Sequence, residues 1–366
     1  MFTMIPVLPT TASDNALDGE PFTLDGRIVF CPATSQPGNE VSHLTPEEAV
    51  SLFLIKFLAI LWEAMPFIVL GAVLAGILEE FLPQQAITRF LPKQAIPAVM
   101  IGAVLGLVFP MCECGILVVM RRLLRKGLPL SCCIAYMLAG PIINVVVIFS
   151  TWAAFEGHGI AKEMVGLRVG LAFVVACLTA LIVHVQYLKH GNALLTNIAI
   201  PPTIAASGVD DGDAAPKVKK SIGQRLSNIS ATSMHDFVDI TLFLTLGAVL
   251  AATAKLFIAP SEVEALSREQ PFLAIPAMML LAFLMCLCSE ADAFVAASFT
   301  KMHVSAKLAF LVLGPMLDIK LVLMFTRVFR RRLILTIATS VIILVFVLSV
   351  GVHLVYQARG LSGVPG

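Results

Sequence analysis

Two stretches of equal length decide the fold of this chain. Residues 112–144 read CECGILVVMRRLLRKGLPLSCCIAYMLAGPIIN, and residues 286–318 read CLCSEADAFVAASFTKMHVSAKLAFLVLGPMLD. Each opens on a Cys-x-Cys pair, continues to Gly-Pro and ends on a polar side chain. The matching pairs, all 174 residues apart, are Cys112 and Cys286, Cys114 and Cys288, Gly140 and Gly314, Pro141 and Pro315, and Asn144 and Asp318. Five matches without a gap are not plausibly chance, so the sequence predicts a tandem duplication.

The composition excludes an ordinary water-soluble protein. Of the 366 residues, 58% are hydrophobic and only 13% are charged, whereas soluble globular proteins carry about 25% charged residues. Eight apolar blocks are each long enough, or nearly so, to cross about 30 Å of hydrocarbon. We therefore predict an all-α integral membrane protein, with about eight transmembrane helices in two tandem four-helix repeats that contain broken helices.

Polar segments predict the domain boundaries. We expect a polar, cytoplasmic N-terminal arm over residues 1–48 and a first transmembrane repeat over 49–189. A cytoplasmic linker over 190–232 leads to the second transmembrane repeat over 233–357, and a tail occupies 358–366. The first ten residues contain no Lys or Arg, which argues against a secretory signal peptide.

The basic residues give conflicting indications of orientation. Short loops rich in Lys and Arg lie on the cytoplasmic side of membranes, so RRLLRK at 121–126 predicts a cytoplasmic loop, and the basic linker agrees. If every apolar block crosses the bilayer, however, the arginines at 327–332 fall outside. We take parallel repeats as the working interpretation; a re-entrant Cys-bearing segment would change the crossing count and allow inverted repeats.

Helix-breaking residues recur at corresponding places in the two halves. Proline removes a backbone N–H and clashes with the preceding turn, and the freed polar groups must be satisfied by protein or water. Interrupted apolar segments in both halves point to the central site of a transporter. The predicted breaks are at Pro110, Gly115, Gly140, Pro141, Gly314 and Pro315.

Ionisable residues inside the apolar blocks indicate the same region. Each costs about 2.5–3.5 kcal/mol at the centre of a membrane helix, so they should pair or line a wet pathway. The opposite charges of Asp318 and Lys320 can compensate each other if that stretch is unwound. Glu63 and Asp239 lie either in the pathway or at the membrane interface. The acids beside the breaks are Glu113, Glu290, Asp292 and Asp318.

The two Cys-x-Cys pairs are candidate ligands for a soft ion. Thiolates prefer Cu(I), Zn(II) and thiophilic metalloids, and the four sulfurs can converge if the halves pack face to face. Residues two apart on a regular helix diverge by about 200°, so both sulfurs of a pair reach one ligand only where the helix unwinds. A buried hydrophobic role and a redox disulfide role remain alternatives. The candidates, for a transported rather than a structural metal, are Cys112, Cys114, Cys286 and Cys288.

At these residues the chain resembles a family of predicted permeases that includes the organoarsenical exporters and a Cu/Zn-efflux branch. The motifs are FPMCECG (109–115), YMLAGPIIN (136–144), CLCSEADAF (286–294) and LGPMLDIK (313–320). The resemblance covers about 50–356. It implies a multi-span efflux permease of the bacterial inner membrane, with Cys112 and Cys114 as substrate ligands. It also implies that the site is lined by Asn144, Glu290, Asp292 and Asp318.

Two departures from that family's pattern bear on the substrate. Glu113 stands between the cysteines, where a small residue is usual, and the chain lacks a His-rich tail. An added carboxylate favours a cation over a neutral organoarsenical. The full predicted binding set is Cys112, Glu113, Cys114, Asn144, Cys286, Cys288, Glu290, Asp292, Asp318 and Lys320.

The sequence thus predicts a membrane permease that exports a soft metal or metalloid, such as an arsenical, Cu or Zn. A membrane thiol/disulfide redox protein, or a membrane subunit that transports an anion or a sulfur compound, are the alternatives. We expect no enzyme activity and no cofactor, since no P-loop and no nucleophile–base arrangement occurs. The partners should be the bilayer and the small transported ion, without nucleic acid, and a homo-oligomer is left open.

Overall fold

The computed structural model describes residues 22–24, 27–29, 46–81, 94–109, 111–196, 222–257, 271–300, 302–360 and 363. Two short antiparallel strands, β1 (Phe22–Leu24) and β2 (Arg27–Val29), belong to a first unit, Met1–Leu44. The second unit, Thr45–Gly366, contains the helices.

The described residues form twelve α-helices and one short 3₁₀ helix, Gly191–Leu194. The α-helices are α1 (Pro46–Phe81), α2 (Ala95–Val108), α3 (Glu113–Arg125), α4 (Leu130–Ala139), α5 (Val145–Glu156), α6 (Ala161–His190), α7 (Ile222–Phe257), α8 (Pro271–Met285), α9 (Ala291–Ser298), α10 (Val304–Met316), α11 (Ile319–Val328) and α12 (Arg331–Ala358). Helix α1 begins just before the predicted end of the arm, and residues 222–232 of the predicted linker are helical. Most of the arm, linker and tail lie outside the described residues.

The helices have the length and surface of membrane spans. Four stretches are long and apolar enough to cross a bilayer, namely Val50–Ile77, Ala161–His190, Val304–Val328 and Arg331–Ala358. Large apolar side chains also point away from the core; Trp62 is 85% exposed. Such a surface suits hydrocarbon rather than water. The fold is that of a multi-pass helical membrane protein, while the count of eight spans and the duplication stay predictions.

The chain leaves the helical conformation at four places within the apolar core. Among the described residues, these interruptions lie at 109 and 111–112, 140–144, 286–290 and 317–318. The second coincides with the predicted break, because Gly140 is the C-cap of α4.

Three of the predicted break positions are wrong, and one cannot be assessed. Gly115 lies inside the first turn of α3. Gly314 and Pro315 lie in the last turn of α10, which continues to Met316. The ring of a proline fits against the preceding turn when the proline lies near the end of a helix, so the helix can continue briefly beyond it. The interruption therefore falls at 317–318, just after Pro315. Pro110 lies outside the described residues.

Asn144 and Asp318 start the two half-helices that follow the breaks. Asn144 Oδ1 accepts a hydrogen bond from the Val147 N–H at 2.9 Å, and Asp318 Oδ1 accepts one from the Leu321 N–H at 2.7 Å. A side-chain acceptor at the N-cap satisfies one of the unpaired N–H groups of the first turn. The two polar side chains therefore cap the N-termini of α5 and α11 in the same way.

Helices α1 and α7 run antiparallel. The Ser233 hydroxyl donates to the Ala72 carbonyl at 3.0 Å, whereas Ile60 packs in one cluster with Ala248 and Ala251. Later residues of α1 thus meet earlier residues of α7. The two helices occupy corresponding places in the predicted repeats, so their antiparallel packing is the arrangement expected of inverted rather than parallel repeats.

Helices α2 and α3 form a hairpin that enters and leaves the bundle at one end. A side chain on Gly102 would meet Cys132, and one on Gly106 would meet Gly140, so α2 lies parallel to α4. Ile116, at the start of α3, contacts the same Gly140 at the end of α4, so α3 runs antiparallel to α4. The tip of this hairpin is the interruption at 109–112.

The basic ends of several helices lie together. Arg121 of α3 and Arg327 of α11 line one cavity with Phe243 of α7, and the Thr196 N–H after α6 donates to the Val328 carbonyl at 3.1 Å. Residues 121–125, predicted as a loop, are the last turns of α3. Since α3 and α11 both start inside the bundle and run to the same end, the conflict between the two arginine clusters disappears.

The packing of α2 against α4 gives a test of the fold. In Gly102→Ala the new Cβ would clash with the Cys132 carbonyl oxygen, whereas at Gly166 of α6 nothing lies within 4 Å. Overpacking of this kind costs about 1–3 kcal/mol. We expect Gly102→Ala to lower the melting temperature of the detergent-solubilised protein, and Gly166→Ala to leave it unchanged or raise it. Equal melting temperatures would contradict the helix contact.

Candidate functional site

The four cysteines of the two Cys-x-Cys pairs line a single cavity. They are buried, and all seven cysteines among the described residues are free thiols. The cavity is also lined by Glu113, Lys320 and, from α1, by Ile60, Ala64 and the exposed Glu63. Its volume is about 10 Å³, near the minimum for one water molecule. The structure therefore brings together thiols that lie 174 residues apart in sequence.

Both pairs reach the cavity because the chain is not helical there. Cys112 has extended backbone dihedrals as the N-cap of α3, and Cys114 follows in the first turn. Cys286 and Cys288 lie in the non-helical segment between α8 and α9. A regular helix would direct the two thiols of a pair to different sides; here the first pair straddles the start of α3, and the second lies in a non-helical segment.

Cys286 has a strained backbone. Its φ of +47° is the only positive φ of a non-glycine residue among those described. A residue with a Cβ adopts this left-handed conformation at a cost of about 1–2 kcal/mol, and such strain concentrates at functional sites. The sequence gives no signal for this strain, because cysteine, unlike glycine or asparagine, does not favour a positive φ.

Lys320 connects the two halves at the centre of the site. Its Nζ donates to Glu113 Oε1 at 2.8 Å and lies 3.4 Å from Asp318 Oδ2. The same ammonium donates to the carbonyl oxygens of Cys286 and Leu287 at 3.3 and 3.5 Å. The group thus neutralises buried carboxylates and stabilises the turn that carries the strained cysteine.

These contacts divide the predicted binding residues by role. Glu113 and Lys320 lie at the thiol cavity but are paired with each other. Asn144 and Asp318 cap half-helices, and Asn144 Nδ2 also donates to the Gly140 and Pro141 carbonyls at 3.3 Å. Asn144, Asp318, Glu290 and Asp292 do not line the thiol cavity.

A second buried polar cluster surrounds Arg168 of α6, which the sequence analysis missed. Its Nη1 donates to Thr151 Oγ1 at 2.7 Å and its Nη2 to the Ser289 carbonyl at 2.9 Å. The Arg168 guanidinium also interacts electrostatically with Asp292. An arginine within the apolar run of α6 was the available signal, since such a residue normally faces the bundle interior.

Glu290 is positioned through its backbone. The Ser150 hydroxyl of α5 donates to the Glu290 carbonyl at 2.8 Å, and the Glu290 side chain is only partly buried. This bond joins the first half of the chain to the interruption before α9. Asp239 cannot be assigned to the site or to the interface, because its side chain lies outside the described residues.

The site is a set of polar groups, not a preformed metal centre. Among the described residues, no three His, Cys, Asp or Glu side chains are arranged to hold a metal ion. Four free cysteines beside the Glu113–Lys320 ion pair form a small soft-donor cavity within an apolar core. Such a cavity can bind a thiophilic species after local rearrangement.

The chain matches one protein family and two bacterial relatives. A family model described as a predicted permease matches residues 49–354. UPF0718 protein YcgR of Bacillus subtilis is 36% identical over 290 residues, which cover 79% of this chain and 92% of that protein. A Streptococcus mutans protein, whose name describes a subunit of a two-component membrane permease complex, is 33% identical over 299 residues, which cover 81% and 94%. No solved structure matches the chain.

The Glu113–Lys320 pair predicts a characteristic result of a double substitution. Lys320→Met leaves a buried carboxylate without its cation, which costs about 3–5 kcal/mol. Lys320→Met also removes the cation beside Asp318. Adding Glu113→Gln removes one of the two uncompensated carboxylates, so the double variant should be more stable than Lys320→Met alone. Thermal unfolding in detergent measures this, with exposed Lys162→Met as the control. Additive losses in the double variant would contradict the pairing.

Proposed function

The chain belongs to the predicted permease family, and from this premise we propose that it exports a soft metal or metalloid species, such as an arsenical, Cu or Zn. The observation that carries the proposal is the convergence of Cys112, Cys114, Cys286 and Cys288 on one cavity. The cavity lies where half-helices meet, which is the usual position of a substrate site in transporters with broken helices.

The transport model uses two inverted repeats. In the first half, the α2–α3 hairpin is re-entrant and places Cys112 and Cys114 at its tip. In the second half, the α8–α9 hairpin corresponds to it, and Asp292 at the start of α9 lies against Gly314 at the end of α10. The remaining helices then give six crossings, by α1, α4 with α5, α6, α7, α10 with α11, and α12.

The Glu113–Lys320 pair is central to the proposed mechanism. It joins the tip of the first hairpin to α11 and to the turn of the second hairpin. Cargo that binds the four thiols must displace or reorient this pair, because both groups line the same small cavity. Binding would thereby change the contact between the two halves and allow them to rock about the midplane.

The orientation follows from the shared basic end of the bundle. Arginines at the ends of α3 and α11 and at the start of α12 lie with the segment after α6 on one side. By the positive-inside rule this side is cytoplasmic, and the start of α1 is then extracytoplasmic. This placement replaces the expected cytoplasmic arm. We propose the cell inner membrane as the location.

A second candidate function is a membrane subunit that moves an anion or a sulfur compound. It is favoured by the relative whose name describes a two-component permease complex. Arg168 and Lys320 are buried cations that an anion would approach. The thiol cavity argues for the soft-metal proposal instead, since neither an anion nor a partner subunit requires four converging cysteines.

The thiol role can be tested by paired cysteine substitutions. We expect Cys112→Ser/Cys114→Ser to abolish resistance to trivalent arsenicals, Cu or Zn in an efflux-deficient host, because the soft ligands are removed. Cys177→Ser, which changes a thiol of α6 outside the cavity, is the matched control. Unchanged resistance to all three in the double variant would remove the thiol role. Thiols found mainly as disulfides by alkylation and mass spectrometry would favour the redox alternative.

Labelling of single cysteines tests the inverted topology. In a Cys31→Ser background, a membrane-impermeant maleimide added to intact cells should modify Gly157→Cys, which lies at the exposed end of α5. It should not modify Arg331→Cys until the cells are opened. Parallel repeats with eight crossings would place both positions outside, so labelling of both in intact cells would overturn the model.

A further inference from the structure

Asp292 differs from the other acids of the broken helices in its surroundings. The side chain is 2% exposed, and no described residue donates a hydrogen bond to its Oδ2. Glu113 Oε2 and Asp318 Oδ2 also lack a hydrogen-bond partner, but both of those carboxylates lie within 4 Å of the Lys320 ammonium, whereas Asp292 forms no ion pair among the described residues. A buried carboxylate oxygen without a donor is costly to keep, so its retention in an apolar core calls for a function.

The neighbouring cation is Arg168, which is 1% exposed. Its two terminal nitrogens are committed to Thr151 Oγ1 and to the Ser289 carbonyl. The guanidinium therefore influences Asp292 through its charge while being fixed by other groups. Arg168 can remain in place whether Asp292 is ionised or neutral, because Asp292 contributes no bond to either of those nitrogens.

The Asp292 carboxylate packs closely against the backbone of α10, where only a glycine fits. Gly314 of α10 faces it, and a Cβ at this position would lie 2.8 Å from Oδ2. Ser289, three residues earlier, is fully buried, and its hydroxyl has no hydrogen-bond partner among the described residues. Asp292 does not line the thiol cavity. Arg168, Ser289, Asp292 and Gly314 thus form a buried polar cluster between α6, the start of α9 and α10, apart from the thiol cavity.

We propose that Asp292 binds and releases the coupling proton of the transport cycle, with Arg168 as its positioning residue. The proposal rests on the proposed transport function and extends it to the coupling ion. A metal cation needs several oxygen ligands and would be repelled by Arg168, whereas a proton needs one acceptor. The carboxylate takes one proton from water on one side, and the acid returns it to water on the other, while Arg168 keeps its charge.

Infrared titration of the protein in lipid vesicles tests proton binding directly. We expect the carbonyl band of a protonated carboxylic acid to titrate in the wild type, to be lost in Asp292→Asn, and to persist in Glu290→Gln and Asp318→Asn. If the substituted protein does not fold, aspartate labelled with ¹³C in the wild type must shift the titrating band. The proposal would be overturned if the band persists in folded Asp292→Asn or if the ¹³C label does not shift it. Absence of the band from the wild type would overturn it as well.

A vesicle assay separates this proposal from the transport proposal. With a trivalent arsenical as the probe, Asp292→Asn should keep exchange at equal pH on both sides but lose the accumulation driven by a pH gradient. Gradient-driven accumulation at the wild-type level would overturn the coupling role. Cys112→Ser/Cys114→Ser should lose exchange itself while keeping the infrared band. If the cysteine variant transports normally, the thiol role fails, and the infrared result still decides the role of Asp292.

Discussion

The buried ion pair between Glu113 and Lys320 holds the centre of this protein together. A lone charge in the middle of a membrane bundle is expensive, and here the ammonium contacts a carboxylate at 2.8 Å and two backbone carbonyls. Those contacts satisfy the groups freed where the helices break. They also join elements from both halves of the chain, so the interruptions are mutually dependent features.

The half-helices can approach one another because small residues line their contacts. Gly71 faces Gly115, Gly106 faces Gly140, and Gly247 faces Lys320, each at a distance that leaves no room for a side chain. Close backbone approach is the usual basis of helix association in lipid, where no hydrophobic effect drives the helices together. The same closeness gives the thiol cavity its small size, so binding of cargo requires movement of the halves.

The polar residues of the core have distinct tasks. Lys320 and Glu113 balance charge, and Asn144 and Asp318 start half-helices. Arg168 ties α6 to α5 and to the turn before α9. Among the described residues, Asp292 is then the buried acid of the breaks that neither caps a half-helix nor pairs with Lys320. This division explains how several ionisable groups persist in a chain of which 58% is hydrophobic.

The sequence by itself determined the class of protein and the residues worth examining. Low charge and long apolar blocks require a membrane, and the recurring Cys-x-Cys and Gly-Pro spacing marks two related regions. Composition and residue spacing can be read directly from the amino-acid sequence, because they do not depend on how the chain folds. The direction of each helix, the pairing of Glu113 with Lys320 and the partners of Arg168 were decided by tertiary structure. They depend on which segments turn back within the bilayer, and hydrophobic length alone does not distinguish a re-entrant hairpin from a crossing.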